Sequence, residues 1–130
     1  MSILVVGVSH KSAPVAVLER VALDEDGVRK LSTAVMDTPH VAEAVVLATC
    51  NRVEVYVDVD RFHGSVEDVS RLLAERAGAL REDVVPHLYV QYDEAAVSHL
   101  FAVAAGLDSM VLGEAQIHGQ VKAAWEQCRT

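Results

Sequence analysis

Val45-Val46-Leu47-Ala48-Thr49-Cys50-Asn51-Arg52-Val53-Glu54-Val55-Tyr56-Val57 is the stretch on which the reading of this 130-residue chain turns. It opens with an apolar run, Val45 to Ala48, and then turns polar from Thr49 to Arg52. Beyond the junction, Val53, Val55 and Val57 alternate with Glu54, Tyr56 and Asp58, the period-two pattern of a half-buried strand. Two strands, 41–48 and 52–59, therefore meet at a polar turn that carries a thiol and a guanidinium. Taken alone, this is a hairpin with a cysteine, a residue type more often buried and inert than reactive.

Upstream, Ile3 to Val8 is an apolar run broken only by Gly7, as expected of a central strand. It ends in the polar turn Ser9-His10-Lys11-Ser12, after which Pro14 suits the start of a short helix over about 15–21. Asp24-Glu25-Asp26 places acids at the start of a second helix, which stops before Thr38-Pro39. Downstream, Ser65 with Asp68 predicts the start of a third helix, with Gly78 as its stop. The segment 82–86 is a connector, and His87 to Tyr92 alternates like a strand. The order strand, helix, strand, strand, helix, strand predicts an α+β, ferredoxin-like split βαβ sandwich over 1–92. About four antiparallel strands would carry helices on one face.

From Asp93 to Thr130 the pattern is helical. Asp93-Glu94 is expected to cap a helix with Ala96, Val97, Leu100, Phe101 and Ala104 along one face. Gly106 to Gly113 breaks the pattern, and Glu114 opens a last helix through Trp125. The whole of 1–130 reads as one domain, with the final helix still running at its end, as in a piece of a longer protein.

The composition limits what such a domain does. The formal net charge of −8 argues against a broad basic face for nucleic acid, though not against contact with one end of it. No apolar run approaches the ~20 residues of a membrane span. The N-terminus lacks the basic leader of a signal peptide, so the cytoplasm is the expected location. The two cysteines, Cys50 and Cys128, have neither CxxC nor zinc-ligand spacing, so neither a disulfide framework nor a metal is expected.

Cys50 sits at a strand end with Arg52 two residues on, an arrangement that favours the thiolate if the charges approach. His99 falls on the apolar face of its helix, where histidines are more often structural than catalytic. In 106–116, two glycines allow close approach to a ligand, and Gln116 and Gln120 share a helix face behind Glu114.

Gly7-Val8-Ser9-His10-Lys11-Ser12-Ala13-Pro14, Ala48-Thr49-Cys50-Asn51-Arg52-Val53-Glu54-Val55-Tyr56, His99-Leu100-Phe101 and the run from Gly106 to Gln120, in this order and at these intervals, resemble one family. It is the N-terminal catalytic domain of glutamyl-tRNA reductase, which begins tetrapyrrole synthesis by forming glutamate-1-semialdehyde. The resemblance spans essentially the whole chain; Ser12 stands where the family commonly has threonine. It implies that Cys50 is the nucleophile that takes the glutamyl group as a thioester, and that His99 matters for activity in a role left open. It also implies that Thr49, Asn51, Arg52, Ser109, Glu114, Ala115, Gln116 and Gln120 line the glutamate pocket. There Arg52 would suit the substrate carboxylate and Glu114 the ammonium.

The resemblance further implies NADPH held by a domain beyond this chain, the acceptor end of glutamyl-tRNA as the partner, and a homodimer of the full-length enzyme. The next enzyme of the pathway is a candidate partner. The chain alone is then expected to form the thioester but not the aldehyde. Two other readings stay open on the residues alone. A thiol-dependent hydrolase or redox sensor needs Cys50 but no glutamate pocket. A non-catalytic ferredoxin-like binding module would display Tyr56, Tyr89 and Tyr92 on its sheet.

Overall fold

The computed structural model describes residues 2–76, 78 and 81–104. Strands β1 (Ser2–Ser9), β2 (Val41–Ala48), β3 (Arg52–Val59) and β4 (Tyr89–Tyr92) form one sheet in the order β2-β3-β1-β4, with every neighbouring pair antiparallel. Between them run helices α1 (Val15–Val21), α2 (Glu25–Met36), α3 (Phe62–Arg76) and α4 (Arg81–Val84), and a 3-10 turn at Val85–His87. Helix α5 (Asp93–Ala104) follows β4 directly. The strand order is that of the split βαβ sandwich predicted above. The remainder of the helical segment, from 105 on, lies outside the described residues.

Period-two alternation divides the sheet into two chemically different faces. Leu4, Val6 and Val8 of β1 stand opposite Val57, Val55 and Val53 of β3. With Val46 and Ala48 they form an aliphatic layer, closed by Val21 of α1, Leu31 and Val35 of α2, and Val69 and Leu73 of α3. The other face carries Val5 and Gly7 of β1, Arg52, Glu54 and Tyr56 of β3, and Tyr89 of β4. Helix α5 covers it, packing Ala96 and Leu100 on Val5 and Tyr56, and Val103 on Leu47. Helices therefore cover both faces, not one.

Several boundaries differ from the sequence reading for identifiable reasons. Helix α3 starts at Phe62, not Ser65, because Phe62 packs edge-on against Tyr92 at 4.6 Å and is drawn into the core. His87 lies in the 3-10 turn behind Pro86, which cannot donate to a ladder, so β4 begins at Tyr89. Asp93 does not cap its own helix: its carboxylate accepts the Ile3 N–H at 3.1 Å, and its φ of 47° makes the abrupt corner into α5. The core-facing stripe of α5 is Ala96 and Val103, both buried, with half-buried His99 and Leu100, while Val97 and Phe101 are exposed. Asp24 does cap α2, accepting the Gly27 N–H at 2.7 Å, and Gly78 ends α3 at φ 63°.

Candidate functional site

The hairpin turn between β2 and β3 is closed by its own hydrogen bonds. The Thr49 N–H donates to the Arg52 carbonyl at 2.9 Å, and the Asn51 N–H donates to Thr49 Oγ1 at 3.1 Å. Threonine supplies an acceptor two residues upstream of a turn N–H, a local bond that favours turns. The neighbouring turn after β1 is tied in as well, with the His10 N–H donating to the Asn51 carbonyl at 2.9 Å. That second turn is held internally by Ser9 and Ser12, whose hydroxyls accept the Lys11 and Ser9 N–H groups. Cys50 sits at the tip of this double-turn platform, exposed and not in a disulfide, while Asn51 is buried behind it.

Arg52, expected to line the glutamate pocket, is buried against Glu54. Its side chain and that of Glu54 are both 0% exposed, with Nη1 3.6 Å from Glu54 Oε2. Alternation had suggested that Glu54 and Tyr56 face solvent. They are buried because α5 lies over them. Glu54 is the centre of the cluster: Tyr56 donates its hydroxyl to Oε1 at 2.9 Å, and Tyr89 donates to Oε2. His99 Nε2, reaching down from α5, bonds the same Oε2. The His99 ring also leans on Tyr89, with centroids 5.2 Å apart at 55°. Burial, reinforced by the Glu54 charge, pushes the Tyr56 phenol far above its usual range, so it stays a donor.

Room for this cluster comes from Gly7. It pairs with Glu54 on one side and Tyr89 on the other, so all three point to one face. A Cβ on Gly7 would lie 2.9 Å from Glu54 Cγ and 3.0 Å from the Tyr89 ring. Glu54, Tyr56 and Tyr89 complete this cluster, although their sequence positions did not mark them as partners of His99. The available signal was Gly7 itself, since a glycine inside a central strand marks close approach by a neighbour.

The structure thus brings Thr49, Cys50, Asn51 and Arg52 to one end of β3, with His99 engaged at Glu54 a step further along the strand. His99 meets Glu54 and Tyr89, not Cys50. Ser109, Glu114, Ala115, Gln116 and Gln120 lie outside the described residues. Among the described residues no group of three or more His, Cys, Asp or Glu side chains could hold a metal ion, and no helix is long and apolar enough to cross a membrane. An open groove between Asp26, Arg29, Lys30 and Arg76 lies on α2 and α3, away from Cys50.

Comparison with known proteins points to one family. The family model described as glutamyl-tRNAGlu reductase, N-terminal domain, matches residues 6–130. A glutamyl-tRNA reductase 1 from Nocardioides sp. is 64% identical over 124 residues, 95% of this chain and 29% of the relative. Glutamyl-tRNA reductase from Streptomyces coelicolor is 57% identical over 122 residues, 94% of this chain and 21% of its own length. Among solved structures, glutamyl-tRNA reductase from Methanopyrus kandleri superposes with a TM-score of 0.68 at 32% identity, covering 98% of this chain and 28% of that one. The chain therefore spans less than a third of the length of these proteins. With a family match over nearly all its residues, it belongs to the glutamyl-tRNA reductase N-terminal domain family.

Proposed function

We propose that this domain accepts the glutamyl group of glutamyl-tRNA on Cys50 as a thioester, the first half of the reaction that gives its relatives their name. The observation that carries the reading is an exposed thiol on a rigid hydrogen-bonded turn, directly ahead of the buried Arg52–Glu54–His99 cluster.

Acyl transfer balances as follows. The Cys50 sulfur attacks the ester carbonyl carbon, an S–C bond forms, and the ester C–O bond breaks. Its electron pair departs with the ribose oxygen, which takes up the proton lost by the thiol. No redox change occurs at this stage, and division into two steps replaces one difficult reduction with two easier ones. In this reading Thr49, Asn51 and Arg52, together with Ser109, Glu114, Ala115, Gln116 and Gln120, form the glutamate pocket. Arg52 sets positive charge behind the turn for the substrate carboxylate, and Glu114 receives the ammonium.

NADPH, which the resemblance places outside this domain, would supply the hydride that reduces the thioester. The described residues do not fit that dinucleotide. Gly7, the one glycine of β1, opens onto space filled by Glu54 and Tyr89 and offers no cradle for a pyrophosphate. Their own chemistry ends at the thioester or its hydrolysis. The net charge of −8 fits contact with the acceptor end alone. Tight, salt-sensitive binding of uncharged tRNA by this chain would speak against that part.

The test is single-turnover release of tRNA from glutamyl-tRNA. The chain is expected to release one equivalent rapidly, and Cys50→Ser none above the spontaneous rate. Release by Cys50→Ser at the wild-type rate would remove Cys50 from the reaction.

A further inference from the structure

Acyl transfer as written above assigns no task to the Glu54 carboxylate, the two phenols that hold it, or the choice of imidazole nitrogen that meets it. Glu54 is fully buried, and His99 is 17% exposed. Tyr56 donates to Oε1; Tyr89 and the His99 ring converge on Oε2, with the Arg52 guanidinium alongside. An ionised carboxylate only accepts hydrogen bonds, so the ring nitrogen facing it carries the proton. That nitrogen is Nε2, which leaves the lone pair of a neutral ring on Nδ1.

A surface histidine would sample both tautomers and several ring orientations. Here three restraints act together. The bond to Glu54 fixes Nε2, the tilted Tyr89 ring limits rotation, and the gap over Gly7 seats Glu54 and Tyr89 against each other. Glutamate at this position has no simple packing rationale. Val5, Leu47 and Val103 share this covered face, and burying a carboxylate there costs several kcal/mol unless it is fully bonded.

Resting on the assignment of acyl transfer to Cys50, we infer that Glu54 is the positioning residue of this site. Its carboxylate locks His99 as the Nε2–H tautomer in one orientation and leaves Nδ1 as the acceptor nitrogen of the ring. Glu54 touches neither substrate nor sulfur in this scheme; it acts through His99.

The test combines a spectroscopic and a kinetic readout. Long-range proton–nitrogen correlation spectra of the ¹⁵N-labelled chain, at a pH where the ring is neutral, should show His99 with a protonated Nε2 and an unprotonated Nδ1. Glu54→Gln should bring averaging between tautomers. It should also lower the acyl-transfer rate at saturating glutamyl-tRNA by at least about tenfold, within the range that general acid–base groups contribute, with KM little changed. Tyr89→Phe keeps the carboxylate and should keep the tautomer. A wild-type ring protonated on Nδ1, or a Glu54→Gln variant with unchanged tautomer and unchanged rate, would overturn the inference. Should Glu54→Gln fail to fold, the wild-type spectrum alone decides. A wild-type chain with the expected tautomer that takes up no glutamyl group would instead overturn the acyl-transfer reading, so the two failures are distinguishable.

Discussion

Replacing Gly7 by alanine adds one methyl group to the middle of β1, and the structure fixes the sign of the result. The new carbon would sit 2.9 Å from Glu54 Cγ and 3.0 Å from Cε1 and Cζ of Tyr89, well inside the ~3.5–4.0 Å of an ordinary carbon contact. Neither neighbour is free to swing away. Glu54 is held by Tyr56, Tyr89 and His99, and Tyr89 is held by Glu54 and lies tilted against the His99 ring. Overpacking of this kind costs about 1–3 kcal/mol. Against it, alanine restricts the unfolded chain more than glycine does, a gain of about 0.4–1 kcal/mol where the conformation is compatible. The balance is a loss of about 1–2 kcal/mol, or a drop in Tm of about 4–8 °C for a chain of this size. Gly64 supplies the matched control. It is exposed in the first turn of α3, and a Cβ there would meet nothing within 4 Å. Gly64→Ala should therefore raise stability by about 0.5 kcal/mol, the preference of a helix for alanine reduced near its end. Thermal and urea melts of the two variants measure both quantities. If Gly7→Ala melted at or above the wild-type temperature, the gap over Gly7 would not be filled as described, and the packing of Glu54 against Tyr89 would be wrong.

Other consequences follow from the same geometry. Arg52→Ala removes one partner of a fully buried ion pair and should cost about 3–5 kcal/mol by urea denaturation; a loss below 1 kcal/mol would mean that Arg52 and Glu54 are solvated. Tyr56 keeps its proton in the folded state beyond the range where an unfolded tyrosine loses it. The stabilisation is therefore complete below the ordinary phenol pKa and is lost as pH rises above it. A tyrosinate absorbance titration should show the Tyr56 signal only as the chain unfolds, and Tyr56→Phe should delete that step. Asp24→Ala removes the cap on α2 and should lower stability by about 1 kcal/mol; no change in the denaturation midpoint would show the Gly27 hydrogen bond to be idle.

Much of the sandwich was legible because its signals are local. Both ends of the β2–β3 hairpin are marked by a polar turn, and β2 and β3 occupy the residues that alternation assigned to them. Asp24 and Gly78 announce helix ends through chemistry confined to a single turn. Where packing at long range decides, the sequence misled. Phe62 belongs to α3 because Tyr92, thirty residues on, offers it a partner. Val97 and Phe101 looked like core positions of α5, yet the core-facing stripe runs through Ala96, His99, Leu100 and Val103.

The site divides along the same line. Cys50 stood out because its turn is written in consecutive residues. Glu54 did not, because a polar residue alternating with valines reads as the solvent side of a strand. Only α5, forty residues downstream, turns that side into an interior. His99 was placed correctly on an apolar face, but nothing in its spacing named a buried carboxylate as its partner. Gly7 was the one local trace of the cluster, and it becomes informative only when strand register puts it between Glu54 and Tyr89.

The central claim is that Cys50 carries the glutamyl group, and intact-protein mass spectrometry after mixing with glutamyl-tRNA tests it most directly. The account predicts a mass increase of one glutamyl residue, mapped by peptide analysis to the fragment containing Cys50, sensitive to hydroxylamine and absent from Cys50→Ser. No adduct on the wild-type chain, or one mapped to Cys128 and retained in Cys50→Ser, would contradict it.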